Sequence, residues 1–162
     1  MLTRKVGLGW APCENGHSNL TLASHKDILE LWNIACEANN AISQNIIYAH
    51  DWKFQELSYS RLQYHIHAKE VLVYKNAHKI EAFAICALAH QGKQRLIGFV
   101  SGIDERIHEI ATGLRFHYCN IANDNTINVI LPFHSPLLPK FIDAGYKPYF
   151  NESFSVYECN LN

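Results

Sequence analysis

The sequence predicts a single α/β (α+β) domain, with a mostly antiparallel sheet flanked by about four helices. Three observations support this fold class. The chain has 162 residues, a length that suits one domain with one core. Its content of 48% hydrophobic and 18% charged residues is typical of a globular protein. Finally, segments with helical spacing of apolar residues alternate along the chain with short runs that have the pattern of strands.

The first part of the chain is expected to hold one strand and two helices. Ser24 and Asp27 have the spacing of a capping box, and Asp51 is the expected N-cap of the second helix. Residues 42–50 have no pattern that assigns them to an element. The expected elements are an extension over 1–18, a core over 19–161 that opens with a strand at 19–22, a helix from Ser24 to about Asn39, and a helix over 52–68.

From residue 71 onward the pattern changes to strands. Short polar turns separate the first three strands, which predicts an antiparallel meander. Pro136 near the start and Gly145 at the end favour a late helix. The expected elements are strands at 71–74, 80–88 and 96–101, a helix at 107–122, a strand at 127–131, a helix from Ser135 to Gly145, and a strand pair at 147–150 and 154–161.

The strand at 96–101, the helix after it and the strand at 127–131 form a βαβ unit. The two strands of such a unit are expected to be parallel. The loop that enters the helix is where backbone N–H groups converge, so an anionic ligand is expected there.

Charge and hydropathy exclude several classes of function. The chain has 14 Lys plus Arg against 15 Asp plus Glu, and its longest basic cluster is Arg4-Lys5. Nucleic-acid binding therefore has no electrostatic support. No signal peptide and no apolar run long enough to span a membrane is recognised, so a cytoplasmic protein is expected. Cys36, Cys86 and Cys119 lie on apolar stripes and are expected to be reduced core thiols.

The start of the third helix resembles a known phosphate-binding motif. Arg106-Ile-His-Glu-Ile-Ala111, continued by Thr112-Gly-Leu114, is similar to the motif Q/R-x-x-G-x-G/A of the GNAT superfamily of acyl-coenzyme A-dependent N-acyltransferases. The order of elements over 19–161 and the Ala-Gly-Tyr at the end of 135–146 also resemble that family. Glu109 stands where the motif has its first glycine.

The resemblance implies a sheet splayed at its central parallel pair, and transfer of an acetyl or other acyl group from coenzyme A to an amine of a small molecule or protein. The backbone of Phe99, Val100 and Ser101 would pair with the pantetheine arm. Acetyl-CoA is the implied co-substrate, the expected partners are an acyl-CoA and an amine acceptor, and a homodimer remains open. The residues that would hold the pyrophosphate are Arg106, Ile107, His108, Glu109, Ile110, Ala111 and Thr112.

Catalysis would need a base for the ammonium proton and an acid or solvent for the thiolate. Many family members carry a tyrosine that protonates the thiolate, and the corresponding residue here is Phe141. Candidate groups in this sequence are Glu81, Asp104, His108, His134 and Tyr146, of which Glu81, His134 and Tyr146 form the candidate catalytic set.

Glu109 and Phe141 favour an alternative function. The chain could be a non-catalytic member of the fold that binds acyl-CoA without turnover or serves as a protein-interaction module. A metal site is not expected, because the histidines lack ligand spacing: His65 and His67 are two residues apart, and Thr112 stands four residues after His108.

Overall fold

A mixed β-sheet forms the centre of the computed structural model, which describes residues 2–5, 19–38, 46–89, 94–119, 126–131 and 135–148. The strands are β1 (Leu2–Lys5), β2 (Leu20–Leu22), β3 (Ile47–His50), β4 (Lys53–Glu56), β5 (Val71–Asn76), β6 (Lys79–Ala89), β7 (Gln94–Gly102), β8 (Thr126–Val129) and β9 (Lys147–Pro148). The helices are α1 (Ile28–Ala38), α2 (Tyr59–His67), α3 (Asp104–Cys119) and α4 (Leu138–Asp143).

The large sheet has the strand order β2-β5-β6-β7-β8-β1-β9, and β3 and β4 form a separate hairpin. β7 and β8 pair in parallel, whereas the other neighbouring strands described in the sheet are antiparallel. The mostly antiparallel sheet with a central parallel pair is therefore confirmed. The meander β5-β6-β7 is confirmed as well.

Each face of the large sheet carries its own core. Successive residues of β6 point to opposite faces, so Ala82 and Ala84 join one core while Phe83 and Ile85 join the other. The α3 core contains Ile107, Ile110 and Leu114 of α3, Phe141 of α4, and Tyr146, which follows α4. The α1–α2 core contains Leu31, Ala35, Tyr48, Leu62 and Ile66.

The predicted capping box at the start of the first helix is confirmed. The Asp27 carboxylate accepts hydrogen bonds from the backbone N–H of Ser24 at 2.7 Å and from its hydroxyl at 2.8 Å. A 3-10 turn at His25–Asp27 leads into α1. Asp27 also pairs with the Lys75 ammonium on β5 at 2.7 Å, so one carboxylate fastens the helix start to the sheet.

The structure adds a strand within the residues assigned to the N-terminal extension. β1 lies between β8 and β9 and pairs antiparallel with both. Its four residues, Leu-Thr-Arg-Lys, are too few to show a period, and both partners come from the far end of the chain. β9 confirms the start of the strand expected at 147–150. Its expected partner at 154–161 lies outside the described residues.

The helix predicted over 52–68 is wrong in its first part. β3 and β4 form a hairpin whose turn residues, Asp51 and Trp52, have φ values of 49° and 64°. Both values lie in the left-handed region that two-residue hairpin turns require. α2 begins only at Tyr59, where Ser58, rather than Asp51, accepts the Arg61 N–H at its hydroxyl.

The other two helices begin at different residues than expected. α3 starts at Asp104, three residues earlier, because Asp104 and Glu105 suit the positive end of a helix dipole. α4 starts at Leu138, after a turn in which the Ser135 hydroxyl accepts the Leu137 N–H. The predicted end of α4 is confirmed, since Gly145 has a φ of 83° just beyond it. The predicted stop of α3 at 123–125 lies outside the described residues.

Two of the three predicted core thiols can be placed. Cys86 is buried, and Cys36 is half-buried. The side chain of Cys119 lies outside the described part of the chain. No helix in the described ranges is long and apolar enough to cross a membrane.

Asp27 predicts an acid-dependent contribution to stability. Burial alone would raise its pKa, but the hydrogen bonds from Lys75 and Ser24 outweigh this and leave the pKa of Asp27 lowered. The stabilisation is therefore complete above the unfolded-state pKa of about 3.9 and is lost as the pH falls below it. We expect Asp27→Asn to lower the free energy of unfolding by about 1 kcal/mol at pH 7 and by clearly less at pH 3.

Urea unfolding at the two pH values measures this difference. Glu37→Gln is the matched control, because it removes one exposed carboxylate from the same helix region and should have little effect at either pH. An Asp27→Asn deficit of equal size at both pH values would contradict the ion-pair account.

Candidate functional site

The parallel strands β7 and β8 separate beyond Ile97 and Val129, and we call the gap between them the splay. β8 pairs with β7 only from Arg95 to Ile97, with Ile97 opposite Val129. β7 then continues to Gly102, whereas β8 ends at Val129. The Asn128 side chain donates to the Arg95 carbonyl oxygen and ties the two strands together within the short paired part. Beyond Ile97, β8 does not cover the edge of β7.

A β-bulge marks the point where the strands separate. Ile85 of β6 pairs with Phe99, but the next residue, Cys86, pairs with Ile97, so Gly98 is the extra residue on β7. The β3–β4 hairpin lies directly on this bulge. A Cβ at Gly98 would overlap the carbonyl oxygen of Ala49 in β3, so only glycine allows the two backbones to approach so closely.

The hairpin also covers the base of the splay. Ala49, Ala89 and Leu96 form a small buried cluster, and Trp52 from the hairpin turn and Ile130 from just beyond β8 pack against it. One side of the splay is therefore closed by the hairpin at its narrow end.

The three residues expected to pair with pantetheine line the open part of β7. Phe99 packs against Phe83 with ring centroids 5.5 Å apart, and Val100 packs against the α3 core on the other face. Ser101 is buried and its hydroxyl donates to the Ile34 carbonyl oxygen of α1. Because these side chains pack within the protein, the groups that remain for a ligand are the backbone N–H and C=O groups at the edge of β7.

The residues expected to hold the pyrophosphate, Arg106 to Thr112, lie within α3, which follows β7 after a short connection. Only Ile103 separates β7 from α3, and its N–H donates to the Glu81 carbonyl oxygen. The Arg106 N–H donates to the Ile103 carbonyl oxygen. In a helix that starts at Asp104, only the first four backbone N–H groups lack a partner within the helix. The N–H groups from His108 onward therefore donate to carbonyl groups of the helix itself.

Arg106 is held by two carboxylates. Its Nε lies 2.7 Å from Glu81 Oε2, and its Nη1 lies 2.7 Å from Glu109 Oε1. The guanidinium also lies over the Tyr74 ring, 4.8 Å from its centroid. The hydrogen bonds that Arg106 donates to Glu81 and then to Glu109 raise its pKa further. Hydrogen bonds from Asn76 and then from Arg106 lower the pKa of the Glu81 carboxyl.

A second bulge places Glu81 in this cluster. Tyr74 pairs with Ala82, but Lys75 pairs with Ile80, so Glu81 is the extra residue on β6. Its side chain is 13% exposed and reaches Arg106 across the start of α3.

The rest of the motif divides between core and surface. Ile107, Ile110 and Ala111 are buried in the α3 core, whereas His108 is exposed. The Thr112 hydroxyl oxygen is buried and has no hydrogen-bond partner among the described residues.

Among the remaining candidate catalytic residues that the structure describes, Tyr146 and Asp104 have partners other than Glu81. Tyr146 is 2% exposed in the α3 core, where its hydroxyl donates to the Ala111 carbonyl oxygen at 3.1 Å and its ring packs against Phe141. His134 lies outside the described residues. Asp104 pairs with Lys140 of α4 at 2.7 Å. In the described part of the chain, no three His, Cys, Asp or Glu side chains are placed to hold a metal ion.

A buried hydrogen-bonded chain was missed by sequence reasoning. The Tyr48 hydroxyl lies 3.0 Å from His65 Nε2, and His65 Nδ1 lies 2.8 Å from Glu70 Oε2. We call these three residues the relay. Tyr48 lies on β3, His65 on α2 and Glu70 just before β5, and residues 42–50 had no assigned pattern. No sequence signal could have joined them, because their contacts depend on how the hairpin docks.

Comparison with known proteins gives a fold likeness. No family model matches the sequence, and no curated protein matches it significantly. The crystal structure of a single-residue mutant of TTHA1254 from Thermus thermophilus is 11% identical, with a TM-score of 0.59 over 88% of this chain and 98% of that chain. The wild-type TTHA1254 structure is 13% identical, with a TM-score of 0.57 over the same shares. At these identities the likeness concerns the fold alone.

The contact at Gly98 predicts a strong difference between two glycines. Gly98→Ala should lower the free energy of unfolding by roughly 2–4 kcal/mol, because the new methyl group meets backbone that cannot move aside. Gly113→Ala in α3 meets only the end of the flexible Leu20 side chain, and it gains helix propensity. Its net effect should stay within about 1 kcal/mol. Denaturant unfolding of both variants measures the difference, and equal effects would contradict a docked hairpin.

The relay predicts a cost for removing one hydroxyl. Tyr48→Phe leaves the buried His65 ring nitrogen without its partner, so the free energy of unfolding should fall by about 1–3 kcal/mol. Tyr64→Phe on the same helix as His65 is the control, because Tyr64 is 63% exposed and should change stability by less than about 0.5 kcal/mol. A Tyr48→Phe protein as stable as the control would show that the relay is not formed.

Proposed function

We propose that the chain binds an acyl-coenzyme A in the β7–β8 splay and transfers its acyl group to an amine, as the resemblance to the GNAT superfamily implies. The observation that carries this proposal is the end of strand pairing at Ile97 and Val129. Among the described residues, no strand pairs with Phe99 to Ser101 on the β8-facing edge, so a ligand that brings its own amide groups could pair there.

Pantetheine is a ligand of that kind. It is an extended chain with two amides, and such a chain can add to a strand edge through main-chain hydrogen bonds. The hairpin covers the narrow end of the splay. Further along β7 the cover is α1, whose Ile34 carbonyl oxygen accepts a hydrogen bond from the Ser101 hydroxyl. If the pantetheine arm pairs with the edge of β7 and runs toward the bulge, the thioester at its end would therefore lie in a partly enclosed space.

The start of α3 favours a second candidate, a domain that binds a partner without acyl transfer. Arg106 already has two carboxylate partners, and a pyrophosphate would have to compete with both. The carboxylates at this helix start are Glu81, Asp104, Glu105 and Glu109, against the cations Arg106 and Lys140. This balance opposes an anionic ligand.

A titration with acetyl-CoA tests the first candidate directly. A ligand that binds only the native state raises the melting temperature by an amount that grows with the ratio of its concentration to Kd. We expect Glu109→Gly and Glu109→Gln to lower the Kd of acetyl-CoA by about three- to tenfold, since each removes a like charge beside the pyrophosphate. Arg106→Ala should raise the Kd. Glu37→Gln, far along the chain and exposed on α1, is the matched charge-removal control and should leave the Kd unchanged.

The release of free coenzyme A thiol across a panel of amines then separates the two candidates. Thiol release that depends on the amine supports acyl transfer. Saturable binding without thiol release supports the non-catalytic domain. No binding of acetyl-CoA by wild type or by the Glu109 variants at millimolar concentration would contradict every role for coenzyme A at this site.

A further inference from the structure

The β3–β4 hairpin carries a histidine next to the residue that docks on the Gly98 bulge. The Ala49 carbonyl lies on the Gly98 bulge, and His50 is the next residue, at the end of β3. His50 is partly exposed, whereas its neighbours Tyr48 and Ala49 are 3% and 4% exposed. Of the two titratable side chains on β3, Tyr48 and His50, it is therefore the one that solvent or a substrate can reach.

His50 lies against the relay. Its ring centroid is 5.1 Å from that of His65, in an edge-to-face arrangement, and 6.0 Å from that of Tyr48, nearly parallel to it. The relay is itself buried and hydrogen-bonded, and Glu70 is further fixed by the Leu88 N–H, which donates to its second carboxylate oxygen. The imidazole of His50 is thus supported by a rigid polar group rather than by loop residues.

The surroundings of His50 favour its neutral form. Burial, and then the neighbouring His65, lower the pKa of His50, while Glu70 and Asp51 act in the opposite direction. An imidazole with a lowered pKa is unprotonated at neutral pH and can accept a proton. The titratable and charged groups around it are Tyr48 on β3, Asp51 in the turn, Lys53 on β4, Arg61, Tyr64 and His65 on α2, and Glu70 before β5.

We propose that His50 is the catalytic base that removes the ammonium proton of the acceptor at the splay, an assignment that rests on the proposed acyl transfer. The ammonium nitrogen gives one proton to the His50 ring. The free amine then attacks the thioester carbon, a C–N bond forms, and the C–S bond breaks with its electron pair on sulfur. The second nitrogen proton goes to the thiolate, so an amide and a free thiol result, and His50 returns its proton to solvent.

The other described groups fit this role less well. Tyr48 is buried with its hydroxyl bonded to His65, and burial raises its pKa. Glu81 is bonded to Arg106 and Asn76, and Tyr146 to the Ala111 carbonyl in the α3 core. His50 combines exposure with a position beside the bulge.

The test compares two histidine variants of the full chain. We expect His50→Gln to bind acetyl-CoA with the wild-type Kd but to lose about 10²–10⁴-fold in thiol release with a responsive amine. His67→Gln on α2 removes an exposed histidine away from the splay and should keep the wild-type rate. The wild-type kcat/KM should rise with pH through the His50 pKa, and this limb should be missing in His50→Gln.

Glu70→Gln provides a second variant that leaves His50 in place. Because the Glu70 charge raises the pKa of His50, its removal should move the acidic limb of kcat/KM, and the His50 titration followed by NMR, to lower pH. The NMR titration reports the pKa of His50 whatever its role, whereas a purely structural role for His50 would leave the acidic limb of kcat/KM where it is in the wild type.

The outcomes separate the two proposals. A His50→Gln protein that binds acetyl-CoA and keeps the wild-type rate and pH profile overturns the assignment of His50 and leaves acyl transfer standing. A wild-type protein that neither binds acetyl-CoA nor releases thiol overturns the proposed function, and the role of His50 with it. An unchanged acidic limb in Glu70→Gln also overturns the assignment.

Discussion

The contact between the Ala49 carbonyl and Gly98 is the constraint on which the arrangement of the site depends. Two backbones meet there without a side chain between them, which only glycine permits. The extra residue shifts the register of β7 against β6, and just before it the pairing of β7 with β8 ends. The same contact docks the hairpin, so the splay and its cover follow from one close approach.

Charge competition at the start of α3 would disfavour an anionic ligand there. The bulge at Glu81 and the early helix start at Asp104 place Glu81 and Glu109 on either side of Arg106. The guanidinium is thereby neutralised within the protein. A phosphate group could interact with Arg106 and with the positive end of the α3 dipole only by displacing carboxylates. A ligand that pairs with the backbone edge of β7 would meet fewer opposing charges than one held by residues 106–112.

The relay shows how docking of the hairpin creates a buried hydrogen-bonded group. Tyr48 enters the α1–α2 core next to Phe83 and Ile85, which buries its hydroxyl against His65. A buried imidazole needs partners for both ring nitrogens, and Tyr48 and Glu70 supply them. The same docking leaves His50 at the edge of this polar group, where its ring contacts Tyr48 and His65 and is partly exposed to solvent.

The sequence by itself determined the meander, the βαβ unit, the capping box at Ser24 and Asp27, and the end of α4 at Gly145, because each rests on residues close together in the chain. Tertiary structure alone decided that residues 2–5 complete the sheet, that 53–56 form a strand, and that Arg106 is held by Glu81. The amphipathic spacing of 52–68 suited a helix, but two left-handed turn residues and the docking on Gly98 overrode it. Contacts between residues distant in sequence leave no periodic pattern, so neither the relay nor the place of His50 could be predicted.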